Sequence, residues 1–320
     1  MQLNRRFCVA PMMDRTDRHE RFFLRTLSKK APLYTEMINV NALLYGKKEK
    51  LLLFNKCEHP LAIQLGGSDP YKMTDAAIIS EDYGYDEINI NVGCPSSRVQ
   101  KAEFGAVLMK NPKLVAKCVK NILNSINLPV TVKCRIGVDF MDEDKDLTKF
   151  ISEVKDAGCK VFLVHARKAW LKGLSPKENR NLPALNYERV YRLKEEFPNE
   201  EIILNGGLET IEDGLEHIKY VDGVMMGRKV YENPYQLIQV DNLFYGLPKM
   251  IKSRKEVFLE LIPYIIQQKN SGEKIQLITR HFMGLIKGSQ FAKKIRTHLA
   301  NLNFSDKPEE ALYQIANQLN

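Results

Sequence analysis

The 320-residue sequence contains no long uncharged stretch. Its longest run without Asp, Glu, Lys or Arg covers residues 121–132, well short of the roughly 20 apolar residues that span a bilayer. Arg5, Arg6 and Asp14 bracket a short apolar run, so no signal-peptide core is expected there. Cysteine is sparse and scattered. Cys8, Cys57, Cys94, Cys118, Cys134 and Cys159 include no CxxC pair, which argues against a structural zinc cluster and a disulfide framework alike. No HxH, HExxH or carboxylate pattern points to a metal. These absences predict a soluble, cytoplasmic protein without a membrane segment or a metal; a monomer is the working expectation, which no sequence feature sets.

What is present is a globular composition, 44% hydrophobic and 27% charged, which excludes a disordered chain. Lys and Arg number 48 against 39 Asp and Glu, a net charge of +9 that favours a polyanionic partner. Short β-type runs recur at 7–10, 33–36, 61–64, 87–91, 130–134, 161–165, 202–205 and 223–226, roughly every 31 residues. Several are almost continuously apolar, as strands buried on both faces are. Helical patterns fill the intervals at 17–28, 70–83, 112–125, 143–157, 187–196 and 211–218. Eight alternating units match an α/β fold of the (β/α)8 TIM-barrel type, about 250 residues long. A doubly wound sheet would want a glycine fingerprint after its first strand, and that turn reads Ala10-Pro11-Met12-Met13.

Past about residue 245 the strand signals stop. Helical patterns at 253–268, 274–287 and 291–301 follow, with Pro248, Gly272 and Gly288 near the breaks. The reading is a barrel over 1–244 and a small all-helical C-terminal domain over 245–320. Residues 241–320 hold 12 Lys and Arg against 7 Asp and Glu, so a quarter of the chain carries more than half of the charge excess. Within it, Lys293, Lys294 and Arg296 cluster on a helical segment, with 293 and 296 three apart and sharing a face.

In such a barrel, chemistry belongs to the C-terminal ends of the strands and the loops after them. Those ends present Pro11-Met12-Met13, Glu36, Gln64, Asn91 with Cys94, Lys133 with Arg135, His165 with Arg167, Asn205-Gly206-Gly207 and Gly227-Arg228. Each alone fits an ordinary core or turn residue; together they ring one mouth. The glycines after the seventh and eighth strands suit backbone N–H groups wrapped on a phosphate, with Arg228 adding charge-assisted bonds. That phosphate belongs to a substrate or to a cofactor such as FMN. Cys94, on a loop between Gly93 and Pro95, suits a nucleophile or a proton donor. Lys133 suits a Schiff base of the aldolase type, or an ammonium that stabilises negative charge on a flavin. His165 reads equally as a neutral core imidazole.

At these residues the sequence resembles the tRNA-dihydrouridine synthases, and among them the A subfamily. The resemblance lies in Ala-Pro-Met-Met-Asp at 10–14, NVGCPS at 91–96, TVKCRIG at 131–137 and VHARKAWLKGLSPKENR at 164–180. It continues in LNGG at 204–207, DGVMMGR at 222–228 and RHFMGLIKGSQFAKKIRTHL at 280–299. The stretch 165–180 is the part most specific to the subfamily. Arg15 departs from it, standing where the family commonly has tryptophan, and 288–297 lacks the usual proline and tryptophan.

The resemblance implies an enzyme that binds FMN, takes electrons from NADPH or NADH, and reduces uridines of the tRNA D-loop, at positions 20 and 20a. It puts FMN against Pro11, Met12, Met13, Gln64, Lys133 and His165, and the FMN phosphate on Asn205, Gly206, Gly207, Gly227 and Arg228. It makes Cys94 the proton donor to uracil C5, with hydride entering at C6. Asn91, Lys177, Arg180, Lys293 and Arg296 become the contacts to tRNA. Three rivals remain: a flavin barrel acting on a free pyrimidine or enone, a phosphate-substrate aldolase using Lys133, and an RNA-binding protein without catalysis.

Overall fold

The computed structural model describes residues 3–302 and 307–319; residues 1–2, 303–306 and 320, within the expected barrel and appendage, lie outside the described residues. Eight strands close into a barrel in sequence order: β1 (Phe7–Val9), β2 (Leu33–Asn39), β3 (Leu61–Gly66), β4 (Glu87–Asn91), β5 (Val130–Arg135), β6 (Val161–His165), β7 (Glu201–Asn205) and β8 (Gly223–Met226). Every neighbouring pair is parallel, and β8 closes on β1. The fold is therefore the TIM barrel and not the doubly wound sheet. β4, β6 and β8 occupy the expected residues. β2 runs three residues past the expected end, because its register against β3 shifts between Tyr34 and Met37 and pairing then resumes as far as Asn39.

Strand alternation divides the apolar residues between two layers. Cys8, Ala10, Tyr34, Leu163, Ile203 and Met225 pack together within the barrel. Their neighbours in sequence, such as Phe7, Val9, Ile202 and Leu204, join the large outer core with the helices. Those helices start where local chemistry dictates. Asp17 accepts from the backbone N–H of His19 and Glu20 to cap Arg18–Leu27. Asp69 and Asn111 cap helices that carry Pro70 and Pro112 in their first turns, where a missing N–H costs nothing.

The helix Val240–Tyr245 crosses the expected boundary at 244 and ends on Gly246. After it come Arg254–Asn270, capped by Ser253 and Glu256, Ile275–Thr279, Ala292–Asn301 and Pro308–Ala316. The pattern over 274–287 is not one helix: it tightens into a 3-10 turn at Arg280–Gly284. There Gly284 lies so close to Pro234 that an added Cβ would stand 2.3 Å from the proline ring. Pro308–Ala316 is a helix beyond the expected ones, and Pro308 at its start is its sequence signal. This helical part packs on the first barrel helix. Tyr264 stacks on Phe22 with centroids 3.7 Å apart and meets His19 Nδ1 at 2.7 Å. Asp17 is bonded to Arg280 at 2.7 Å and to His281 at 3.0 Å. Among the described residues, no helix is long and apolar enough to cross a membrane.

Candidate active site

A cavity of about 600 Å³ opens at the C-terminal end of the barrel. Pro11, Met12 and Met13 enter its wall from the loop after β1, Gln64 from β3, and Asn91 and Cys94 from β4 and its loop. Lys133, His165 and Asn205 come from β5, β6 and β7, and Gly206, Gly207, Gly227 and Arg228 follow the last two strands. Every candidate cofactor residue thus shares one wall with Cys94. Arg180 lines it too. Lys177 is exposed next to the lining residue Pro176. Lys293 and Arg296, both exposed on Ala292–Asn301, lie outside that wall, as does Glu36.

The Cys94 loop hangs on a run of hydrogen bonds through the barrel interior. β4 carries Glu87, Asn89 and Asn91 two residues apart, hence on one side of the strand. Asn91 Oδ1 accepts from the N–H of Gly93 at 3.2 Å and of Cys94 at 3.0 Å. Its Nδ2 donates to Gln64 Oε1 at 2.8 Å, and Gln64 Nε2 donates to Asn89 Oδ1 at 2.7 Å. Asn89 Nδ2 donates to Thr131 Oγ1 at 2.8 Å, and Thr131 donates to Glu87 Oε1 at 2.6 Å. At the barrel floor Arg5 pairs with Glu87 at 2.7 Å and with Glu201 at 2.8 Å.

Beside this run, from β5 round to β8, stands a cationic group. Lys133 Nζ donates to Asn205 Oδ1 at 2.9 Å, and Asn205 Nδ2 donates to Met225 O at 2.7 Å. Burial, with Arg135 adding repulsion, brings the Lys133 ammonium down to about 8. Burial and the cations Arg135, Lys133, Arg167 and Arg228 hold His165 well below the ordinary imidazole value, so its ring is neutral at pH 7. Gly206 and Gly207 have φ of 107° and 78°, a region that favours glycine. A Cβ on Gly206 would press on the His165 ring at 3.0 Å, and one on Gly207 would meet Leu185 and Tyr187 at 2.4 Å. Bare backbone there forms a cradle beside Arg228, which bonds Asn181 Oδ1 at 2.6 Å.

The model of the family described as dihydrouridine synthase matches residues 8–320. The chain belongs to the dihydrouridine synthase family. It is 50% identical to the tRNA-dihydrouridine(20/20a) synthase of Pseudomonas aeruginosa over 93% of this chain and 90% of that protein. It is 48% identical to the protein of that name from Synechocystis, over 97% and 93% of the two chains. For the one from Vibrio parahaemolyticus the identity is 46%, with 98% of each chain covered.

Two parts of this dihydrouridine synthase site escaped the sequence reading. Asn89, Thr131 and Glu87 read locally as plain strand residues, although the alternation Glu-Ile-Asn-Ile-Asn at 87–91 puts polar groups where an apolar barrel interior is expected. Arg135 reads from the sequence only as a strand-end cation near the Cys94 thiol. It is buried and donates to Gly93 O at 3.0 Å, Lys168 O at 3.0 Å and Asn179 O at 2.9 Å. One guanidinium therefore clamps the Cys94 loop to the loop carrying Lys177 and Arg180. Its only advance signal was a charge two residues beyond Lys133 on the same strand.

Proposed function

We propose that this chain reduces the C5=C6 bond of uridine in tRNA to 5,6-dihydrouridine, with FMN in the mouth cavity and NADPH, or NADH, as electron donor. The observation that carries the reading is one cavity wall holding a half-buried thiol, a half-buried lysine and glycine backbone together. The relatives are named for tRNA and for positions 20 and 20a; we carry both to this chain, which makes the D-loop the target.

The residues present fit a flavin mononucleotide. The volume lies within the roughly 300–1,000 Å³ of cofactor-sized sites. His165 Nδ1 is buried and, among the described residues, lacks a hydrogen-bond partner, a state that asks for a polar ligand group. Gly206 and Gly207, held to glycine by the close approach of His165, Leu185 and Tyr187, present bare backbone to the cavity. Asn205, Gly206, Gly207, Gly227 and Arg228 would hold the phosphate, and Pro11, Met12, Met13, Gln64, Lys133 and His165 the ring system. Bound there, the flavin supplies the hydride that uracil receives at C6.

The chain's own residues do the rest. Cys94 gives its proton to C5 from the face opposite the hydride. Asn91 fixes the backbone of the thiol loop and contacts the base. Lys133 keeps positive charge against the cofactor ring. The target base is drawn out of its stack to reach this pocket, while Lys177, Arg180, Lys293 and Arg296 hold the RNA. On this reading residues 1–244 are the catalytic barrel and 245–320 the tRNA-binding domain. The test is the visible spectrum of the purified protein, followed by mass mapping of tRNA incubated with it and NADPH. The expected protein is yellow, releases FMN on denaturation, and forms dihydrouridine at positions 20 and 20a. Colourless protein that modifies tRNA without added flavin overturns the cofactor assignment. Free uridine reduced as fast as tRNA overturns the substrate.

A further inference from the structure

A second cavity, of about 770 Å³, lies on the loops after β5 and β6 and is lined by Phe140, Trp170, Lys110, Lys149 and Lys172 among others. It belongs to the same end of the barrel as Cys94. Gln100 Nε2 donates to Pro95 O at 2.7 Å and to Leu171 O at 2.8 Å, tying the thiol loop to the wall of this groove. Phe140 is 91% exposed, with its ring edge-on to Trp170, centroids 5.3 Å apart. The loop that presents it is firmly held. Asp139 N–H donates to Ala169 O at 2.8 Å, and Ala169 N–H to Gly137 O at 3.0 Å. The Asp139 carboxylate accepts from Leu171 N–H at 2.8 Å and from Lys110 Nζ at 2.6 Å. Asp139 itself has φ of 49°, a left-handed turn that Asp adopts more readily than most residues with a Cβ. A large apolar ring is thus held in water on a firmly bonded loop beside a reactive mouth. Three lysines of the groove face two carboxylates, Asp139 and Asp146, so the charge excess suits a polyanion.

We propose that this groove is a stacking platform for the substrate RNA. An unpaired base near the one entering the Cys94 mouth lies against Phe140 and Trp170, and its phosphates meet Lys149 and Lys172. The inference rests on the tRNA reading above. Drawing one base from a stacked strand exposes its neighbours, and an aromatic surface recovers that stacking without reading sequence, because every base has a π-face.

Trp170 is the chain's one tryptophan, so its emission reports this groove directly. In the full-length, flavin-loaded protein, unmodified tRNA should change Trp170 emission on binding. Phe140→Ala should raise Kd and KM for tRNA roughly 5- to 100-fold, the loss of one stacked base, with flavin reduction by NADPH unchanged. Phe140→Leu, which keeps apolar bulk without a ring, should match it, and Phe140→Tyr should restore binding. Lys149→Ala with Lys172→Ala should lower the slope of log affinity against log salt by about 0.7–0.9 per lost contact. Unchanged tRNA affinity in both Phe140→Ala and Phe140→Leu, with Trp170 emission unmoved by tRNA, overturns the platform even where the wild type forms dihydrouridine. A wild type that leaves tRNA unmodified overturns the underlying reading instead.

Discussion

Surroundings, more than residue type, set what each ionisable group here can do. Cys8, Cys118, Cys134 and Cys159 are buried, and burial pushes the last three thiols up to about 12; they serve as small core residues. Cys94 is half-buried at the cavity wall. Cys94→Ala should therefore keep its flavin and the reduction of that flavin by NADPH, while reoxidation by tRNA slows roughly 10²–10⁴-fold. Stopped-flow absorbance separates the two half-reactions; slow reduction with normal reoxidation would move the acid elsewhere. Lys133 gives a pH signature. Its ammonium, brought down to about 8, is lost as pH rises through that value, so FMN affinity should fall across it and Lys133→Met should flatten the profile. Stability of the flavin-free chain should move the other way. Between about 8 and the ordinary 10.5 the unfolded lysine holds a proton that the folded one has released, so stability rises with pH over that window. Chemical denaturation at several pH values reads it.

At the scale of strands, the hydrogen-bond run through the barrel has a direction. Each amide offers its N–H₂ toward Glu87 and its oxygen toward the mouth, so the carboxylate at the floor decides which face Asn91 turns to the thiol loop. Thr131→Val keeps the shape and removes the middle rung. It leaves Asn89 Nδ2 buried without its acceptor, at a cost of about 1–3 kcal/mol. We expect a lower denaturation midpoint, and slower flavin reoxidation by tRNA with flavin reduction intact; equal loss in both half-reactions would reduce the run to a stability device. The mouth residues were legible in advance because strand ends are marked by where apolar runs stop and glycine, proline or charge begins. The run was not, because its members meet only through register: Gln64 sits opposite Asn89, and Asn89 opposite Thr131, and no local pattern states which rows of a closed sheet coincide. The β2 irregularity and the broken helix at Arg280 were hidden for the same reason, since each answers to a distant neighbour.

For the whole molecule, the proposed function requires a helical appendage and a barrel mouth to act on one RNA. Lys293 and Arg296 are exposed while Ile295 and Leu299 of the same helix are buried, so the helix packs one face and offers the charged one. Lys293→Ala with Arg296→Ala should weaken tRNA binding most at low salt and reduce the salt slope by about 0.7–0.9 per contact, with flavin reduction by NADPH untouched; a filter-binding series over salt reads it. Burial works against ionisation of Asp17, yet its bonds to His281 and Arg280 outweigh that and hold the carboxyl below its usual range. The same carboxylate caps the first barrel helix. One residue before it, Thr16 Oγ1 accepts from Met12 N–H at 2.9 Å, and Met12 is already part of the cavity wall. The path from mouth to appendage is therefore a handful of bonded residues with no linker in it. If the proposed function holds, so short a joint would make the protein a calliper: with one jaw on the phosphates and the other at the thiol, the gap between them would select which uridine along the loop is reached.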